Sequence, residues 1–198
     1  MWNARYDRPD YLFGRDPAAF LVAQAGHIPD ASRVLVVADG EGRNSVHLAG
    51  LGHEVTAFDA APNAVDKARK LAAEKGVAVD FHEADIFAWD WAAAPVDAVV
   101  AIFIQFMGPG PRAEVFAGLD AALKPGGVLL LHGYAPRQVG YGTGGPPAEA
   151  NMYELEMLRA AFPGYAVLHA ADYDAEIDEG PGHSGRSGLI DFVARKPG

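Results

Sequence analysis

The 198-residue chain has no cysteine, which excludes disulfides, thiolate metal centres and a cysteine nucleophile. It also lacks any uninterrupted apolar run near the ~18 residues of a membrane-spanning helix, although half of its residues are apolar. The amino terminus, Met1-Trp2-Asn3-Ala4-Arg5-Tyr6-Asp7, shows no basic region followed by an apolar core, so a cytoplasmic protein without a membrane partner is expected. A basic surplus is missing as well. The 26 acidic residues outnumber the 16 basic ones and give a net charge of -10, which repels a phosphate backbone; nucleic acid is not an expected partner. No cluster of histidines and carboxylates has metal-ligand spacing, so no metal is expected. Neither a repeat nor a dividing linker is visible, and the length suits a single domain over residues 1–198.

What is present is organised around Arg33 to Asp59. Val34 to Ala38 form a short apolar run that stops at Asp39-Gly40-Glu41-Gly42, a helical segment from Asn44 to Leu51 follows, and Gly52 ends it. Glu54 to Asp59 supplies a second strand, so an acid stands at its carboxyl end about 20 residues after the glycine turn. This is the layout of a nucleoside-binding half of a doubly wound α/β fold.

The rest of the chain repeats the alternation. Asp16-Pro17 predicts a helix start running to about Ala25, preceded by an aromatic arm with Trp2, Tyr6, Tyr11 and Phe13 that is expected to pack over the core; arm and helix together occupy residues 1–30. Pro62 opens a helix that Gly76 closes, with Ala64, Val65, Ala68, Leu71 and Ala72 at helical spacing. Strands are predicted over Val77–His82, Asp97–Ile104 and Val128–His132, with a helix from Arg112 to Leu123 between the last two. Asp97 to Ile104, apolar on both faces, reads as a central parallel strand. Residues 133–147 shift to Gly, Pro and Tyr and read as a functional loop. A helix over 148–162 and two extended runs, 165–177 and 187–195, complete the chain. With no helix between them, those runs predict an antiparallel pair, and residues 178–187 become a second candidate active-site loop.

A dinucleotide turn has the form G-x-G-x-x-G, and here Gly40-Glu41-Gly42 is followed by Arg43-Asn44-Ser45, without the third glycine. Glu41 also brings negative charge to the place a pyrophosphate would take. Together with Asp59 this favours a nucleoside without phosphates, and S-adenosylmethionine fits. Asp59 would accept from its ribose hydroxyls and Asp85 from its adenine amino group.

These residues, with Pro62, Asp85-Ile86, Lys124-Pro125-Gly126-Gly127, the loop Pro136 to Pro147, His183 with Arg186, and the final strand pair, resemble a class I S-adenosylmethionine-dependent methyltransferase. The resemblance is to the small tellurite-resistance and thiopurine-methyltransferase-like group and covers nearly the whole chain. It implies a Rossmann-like, mostly parallel seven-stranded sheet with an antiparallel C-terminal strand. Two positions depart from the family pattern, Val36 where an acid is common and Ala38 where a glycine is, with Asp39 the candidate replacement for the ammonium-binding carboxylate.

The candidate cofactor-binding residues are Ala38, Asp39, Gly40, Asn44, Asp59, Ala60, Asp85, Ile86 and Ala101. The resemblance places functional histidine and arginine in the last loop, making His183 and Arg186 the catalytic candidates; His132 is a reserve whose simpler reading is a hydrogen-bonded core histidine. Tyr134, Arg137 and Tyr141 are candidates for positioning a small-molecule acceptor, with a thiol or another chalcogen nucleophile among the candidates for that acceptor. Two alternatives stay open at this point: a nicotinamide-dependent oxidoreductase on the same fold half, and a cofactor-binding protein without catalysis.

Overall fold

Parallel strands need crossovers long enough to hold a helix, and most strands of this chain are followed by one. In the computed structural model, which describes residues 2–198 and leaves Met1 outside them, five strands run parallel. They are β1 (Arg33–Val37), β2 (Glu54–Asp59), β3 (Asp80–Glu83), β4 (Val96–Ile102) and β5 (Leu123–Tyr134), and a hairpin of β6 (Ala166–Asp178) and β7 (Ser184–Arg195) completes the sheet. The spatial order is β3-β2-β1-β4-β5-β7-β6, with β7 antiparallel to both neighbours. This is the mostly parallel seven-stranded sheet with an antiparallel C-terminal strand expected from the sequence. The order reverses between β1 and β4, so Val37 and Ile102 end at the crevice where such sheets bind ligands.

Both faces of the sheet are covered. Val34, Val36, Ala98, Val100 and Leu130 pack towards Leu21 of α2 (Ala19–Gln24) and Leu48 of α3 (Arg43–Gly50), while Leu35, Val99, Leu129 and Leu131 pack towards α5 (Pro109–Ala122) and α7 (Leu155–Ala161). Each of these buried Val and Leu side chains contributes on the order of 1.5–3 kcal/mol relative to an exposed position. α4 (Pro62–Lys75) lies against α3, and α1 (Trp2–Tyr6) lies against α4 through Tyr6 and Ala64.

Where element boundaries differ from expectation, a particular hydrogen bond or a proline is the cause. α2 begins at Ala19 and not at Asp16-Pro17, because Asn44 Oδ1 accepts from the Ala18 amide at 3.0 Å and Glu179 Oε1 from the Ala19 amide at 3.1 Å. β3 starts at Asp80, three residues late, because the Val77 amide still bonds back to Ala72 of α4 at 3.1 Å. α5 starts three residues early, its first turn built on Pro109, which tolerates a position whose amide has no partner. The helix predicted over 148–162 is a short 3-10 turn (Glu149–Asn151) and then α7. Met152 and Tyr153 leave the helix because Tyr153 donates its amide to Tyr134 O at 2.9 Å, and Arg112 holds the carbonyls of Ala150 and Met152 at 2.9 and 3.2 Å.

The two candidate loops are shorter than expected. β5 continues to Tyr134, because the buried Gln105 side chain pairs with it as a strand would: Oε1 accepts from the Tyr134 amide at 2.6 Å and Nε2 donates to its carbonyl at 2.8 Å. α6 (Gln138–Tyr141) fills part of the remainder, and the last loop contracts to a turn over Glu179–His183.

Candidate active site

At the carboxyl ends of β1, β2 and β4 the chain encloses a cavity of about 280 Å³. Its floor is the glycine turn. Gly40 and Gly42 have φ of +63° and +89°, conformations that glycine adopts without steric cost. Ala38, with φ +48°, and Phe103, with φ +56°, are non-glycine residues in the same region and end β1 and β4 on either side of the crevice. Backbone strain of this kind collects at functional sites.

Asp59 fixes the second wall. Its Oδ2 accepts from the Gly40 amide and its Oδ1 from the Ala61 amide, both at 2.9 Å, which leaves the outer lone pairs of both oxygens for a ligand. Burial pushes its carboxyl above the ordinary range, and the amide bonds oppose that. Asp85 lies at the rim with Oδ1 held by the Phe87 amide at 2.9 Å, beside the buried Ile86. Asp39 turns towards α3, where it accepts from the amide of Ser45 at 3.3 Å and from the Ser45 hydroxyl. Burial pushes the Asp39 carboxyl up to about 6 against those two bonds.

Eight of the nine cofactor candidates line this cavity: Ala38, Asp39, Gly40, Asn44, Asp59, Ala60, Asp85 and Ile86. Ala101 does not. It is fully buried in register between Val37 and Leu131, and the strand runs on to bring Ile102 and Phe103 to the cavity instead.

Of the other candidates, His183 alone lines the cavity. Its ring sits 4.4 Å from that of Phe13 and 4.2 Å from that of Phe103, and burial keeps its pKa below the ordinary histidine value, so the imidazole is neutral at pH 7. Arg186 is outside the cavity. It is exposed, pairs with Asp174 at 2.8 Å and covers the Tyr141 ring at 5.2 Å. Arg137 belongs to the same surface network, bonded to Asp172 and Asp174 at 2.5 and 2.6 Å, and Tyr141 donates to Asp174 at 2.7 Å. The sequence pattern puts these three at the site; in the structure Arg186 of β7, and Arg137 and Tyr141 at the two ends of α6, are drawn to Asp172 and Asp174 on the edge strand β6 instead. Tyr134 is buried behind the cavity, 5.7 Å ring to ring from His183, with its hydroxyl unpartnered. His132 is the hydrogen-bonded core histidine, its Nδ1 2.7 Å from Asp191 Oδ1 and its ring stacked on Phe20.

Glu41 departs from the sequence expectation. It lines the cavity, but its carboxylate is paired, accepting from the Leu12 amide at 2.7 Å and from Lys67 Nζ at 2.8 Å. Pairing with Lys67 weakens the repulsion of a pyrophosphate, although the Glu41 charge still reaches Asp59, so more of the case against a dinucleotide rests on the missing third glycine. The bond to Leu12 has another effect: it ties the aromatic arm to the glycine turn. Trp2, Tyr6 and Phe13 therefore line the cavity, which the arm closes over, while Tyr6 and Leu12 also pack on Ala61 and Ala64 as the sequence suggested. Tyr6 would meet a Cβ on Gly40 at 3.1 Å.

The residues at the turn are compatible with a nucleoside bearing an amino acid: a doubly anchored carboxylate, a second carboxylate at the rim, and an apolar wall at Ile86 between them. Residues 34–127, which carry the whole of that constellation, match the family model described as "Methyltransferase domain". The chain carries a class I S-adenosylmethionine-dependent methyltransferase domain. S-adenosylmethionine is the cofactor of that domain. The domain is 39% identical over 134 residues to a ubiquinone biosynthesis O-methyltransferase of Xanthomonas axonopodis pv. citri (strain 306), covering 66% of this chain and 54% of that one. It is 33% identical over 109 residues to the tRNA 5-carboxymethoxyuridine methyltransferase of Escherichia coli (strain K12), covering 54% and 41%. The chain thus spans about half or less of the length of the curated relatives it matches. TehB from Haemophilus influenzae has the same fold, with a TM-score of 0.73 at 18% identity over 98% of this chain and 65% of that one. Among the described residues no helix is long and apolar enough to cross a membrane.

Proposed function

We propose that the protein transfers a methyl group from S-adenosylmethionine to a small, uncharged acceptor carrying an ionisable O–H or S–H group. The cofactor supplies a methyl group made electrophilic by the sulfonium; Asp59, Asp85 and Asp39 are the residues to hold its ribose, adenine and ammonium groups. The observation that carries the acceptor reading is the surroundings of His183, a neutral imidazole among Phe13, Phe103 and Tyr134 at the wall of the same cavity. An imidazole of that kind accepts a proton from a weak acid. It attracts no anion.

Charge and size support the same reading. Arg43, the cation that lines the cavity, is neutralised by Glu179 at 2.7 Å. At about 280 Å³, the cavity lies just below the roughly 300–1,000 Å³ of ligand sites, which favours a small acceptor over a large one while the arm is seated. The acceptors named for the curated relatives, a tRNA uridine and a ubiquinone-pathway compound, would need the arm displaced.

The test combines calorimetry with S-adenosylhomocysteine and methyl transfer from labelled S-adenosylmethionine to a panel of small thiols and phenols. Binding is expected, with transfer to members of the panel. His183→Ala should bind as the wild type does and transfer roughly 100-fold more slowly, the lower end for loss of a general base. No binding would overturn the cofactor assignment, and tighter binding of NAD would point to an oxidoreductase. Binding without transfer to any acceptor would leave a cofactor-binding protein.

Asp39 gives a pH signature. Its carboxyl is held up at about 6 in the free protein, and the protonated form cannot pair with an ammonium group. Proton release therefore accompanies binding below that pH, and affinity for S-adenosylhomocysteine should fall by up to about tenfold per unit as pH drops from 6 towards 5. Above pH 7 it should be flat. Calorimetry between pH 5 and 8 checks this, and Asp39→Asn should remove the slope; an unchanged slope in that variant would exclude Asp39 as the ammonium partner.

A further inference from the structure

Glu179 belongs to no motif, yet it meets three elements at once. Its side chain is 11% exposed, its Oε2 accepts from Arg43 Nη2 at 2.7 Å, and its Oε1 accepts from the Ala19 amide at 3.1 Å. Arg43 opens α3 directly after the glycine turn, and Ala19 opens α2 directly after the arm. The third neighbour is His183, whose Nδ1 lies 4.0 Å from Glu179 Oε2 and is buried without a hydrogen-bond partner. At that distance the neutral imidazole and the carboxylate are not yet hydrogen-bonded, but the carboxylate is close enough to attract a proton carried on Nδ1.

The backbone holds this pair in place. The Glu179 amide donates to His183 O at 2.8 Å and the His183 amide to Gly180 O at 3.0 Å, so the two residues close one turn. The turn is fastened to the arm where the Gly182 amide donates to Leu12 O at 3.0 Å. Leu12 is itself held by Glu41 of the glycine turn. Glycine turn, arm and His183 turn thus form a ring with two carboxylate joints, Glu41 and Glu179.

We propose that Glu179 is the positioning residue for His183: it orients the imidazole through Nδ1 and stabilises the imidazolium that forms when an acceptor proton is taken. The proposal rests on the reading of His183 as the proton acceptor. It makes proton transfer depend on cofactor-side geometry, because Arg43 holds the Glu179 carboxylate from the helix that follows the glycine turn. The groups that face His183 are Glu179 on its own turn, Arg43 on α3, and His132 and Tyr134 on β5. Of these only Glu179 favours the imidazolium. Arg43 and His132 oppose it, and burial opposes it most.

The experiment needs no acceptor. The His183 imidazole is titrated by nitrogen-15 NMR in the wild type, Glu179→Gln and Glu179→Asp, its signals identified by their loss in His183→Ala. Removal of an opposite charge within ~4–6 Å shifts a pKa by 1–3 units, so the Gln variant should titrate at least about one pH unit lower. Its neutral form should also lose preference for a proton on Nδ1. The Asp variant, which keeps the charge, should fall between the two. Identical midpoints in wild type and Gln variant, or equal losses in Gln and Asp, would overturn the proposal. If Gln leaves Arg43 unpaired and the fold fails, the Asp variant decides by the same titration, as does Arg43→Met/Glu179→Gln compared with Arg43→Met alone, where the double variant should titrate lower. Absence of S-adenosylhomocysteine binding by the wild type would sink the functional reading alone, since the titration uses no cofactor.

Discussion

Asp59→Ala is expected to weaken S-adenosylhomocysteine binding by roughly 100-fold. A hydrogen bond to a charged group is worth about 1.5–3 kcal/mol, and two ribose hydroxyls sharing one carboxylate lose on the order of 3 kcal/mol, about two factors of ten. The substitution also frees the Gly40 and Ala61 amides, which the carboxylate holds at 2.9 Å each. Part of the loss will therefore come from a looser glycine turn. Asp59→Asn keeps one acceptor for the two backbone amides and sets its NH2 against the other, and it should fall between wild type and alanine. Calorimetry gives the affinities and thermal unfolding reports the turn. Equal affinity in the wild type and Asp59→Ala would refute the ribose assignment.

Asp59 was legible because its position is set by local pattern. A buried strand, a glycine turn, a helix and a second strand place an acid at one sheet edge regardless of what surrounds it, and the same logic made the whole sheet readable from alternating runs. The surroundings of His183 were not legible, because those residues meet only through tertiary contacts. Arg137, Tyr141 and Arg186 sit in the expected loops or beside them, yet they turn to Asp172 and Asp174 on the sheet edge. Glu179 stands four residues before His183 in the sequence, a spacing with no meaning until Arg43 is seen to reach it across 136 positions. Glu41 misled for a related reason. A side chain's position in a motif fixes where its backbone lies, and the carboxylate was drawn off by Leu12 and Lys67.

Gly42→Ala should have a large effect on stability, because two penalties coincide there. Gly42 precedes α3 with φ +89°, and a left-handed conformation costs an alanine about 1–2 kcal/mol. A Cβ would also lie 2.6 Å from the Ala68 methyl carbon and 2.7 Å from the Ala68 backbone, in the middle of α4, where no flexible side chain can give way. Overpacking of this kind costs about 1–3 kcal/mol. Gly76→Ala isolates the first penalty, since Gly76 has φ +69° and nothing within 4 Å of an added Cβ. For a chain of this length each kcal/mol lowers Tm by about 2–4 °C, so Gly42→Ala should melt about 10 °C lower and Gly76→Ala about 4 °C lower. Adding Ala68→Gly to Gly42→Ala should restore little, because it removes one clashing atom, leaves the clash with the helix backbone, and costs a further ~1 kcal/mol inside a helix. Calorimetric Tm values for these three variants and the wild type test this. Equal shifts at Gly42 and Gly76 would mean that α3 and α4 separate freely. The glycine would then be there for its backbone conformation and not for the close approach of the two helices that carry the cofactor turn and the cover of the site.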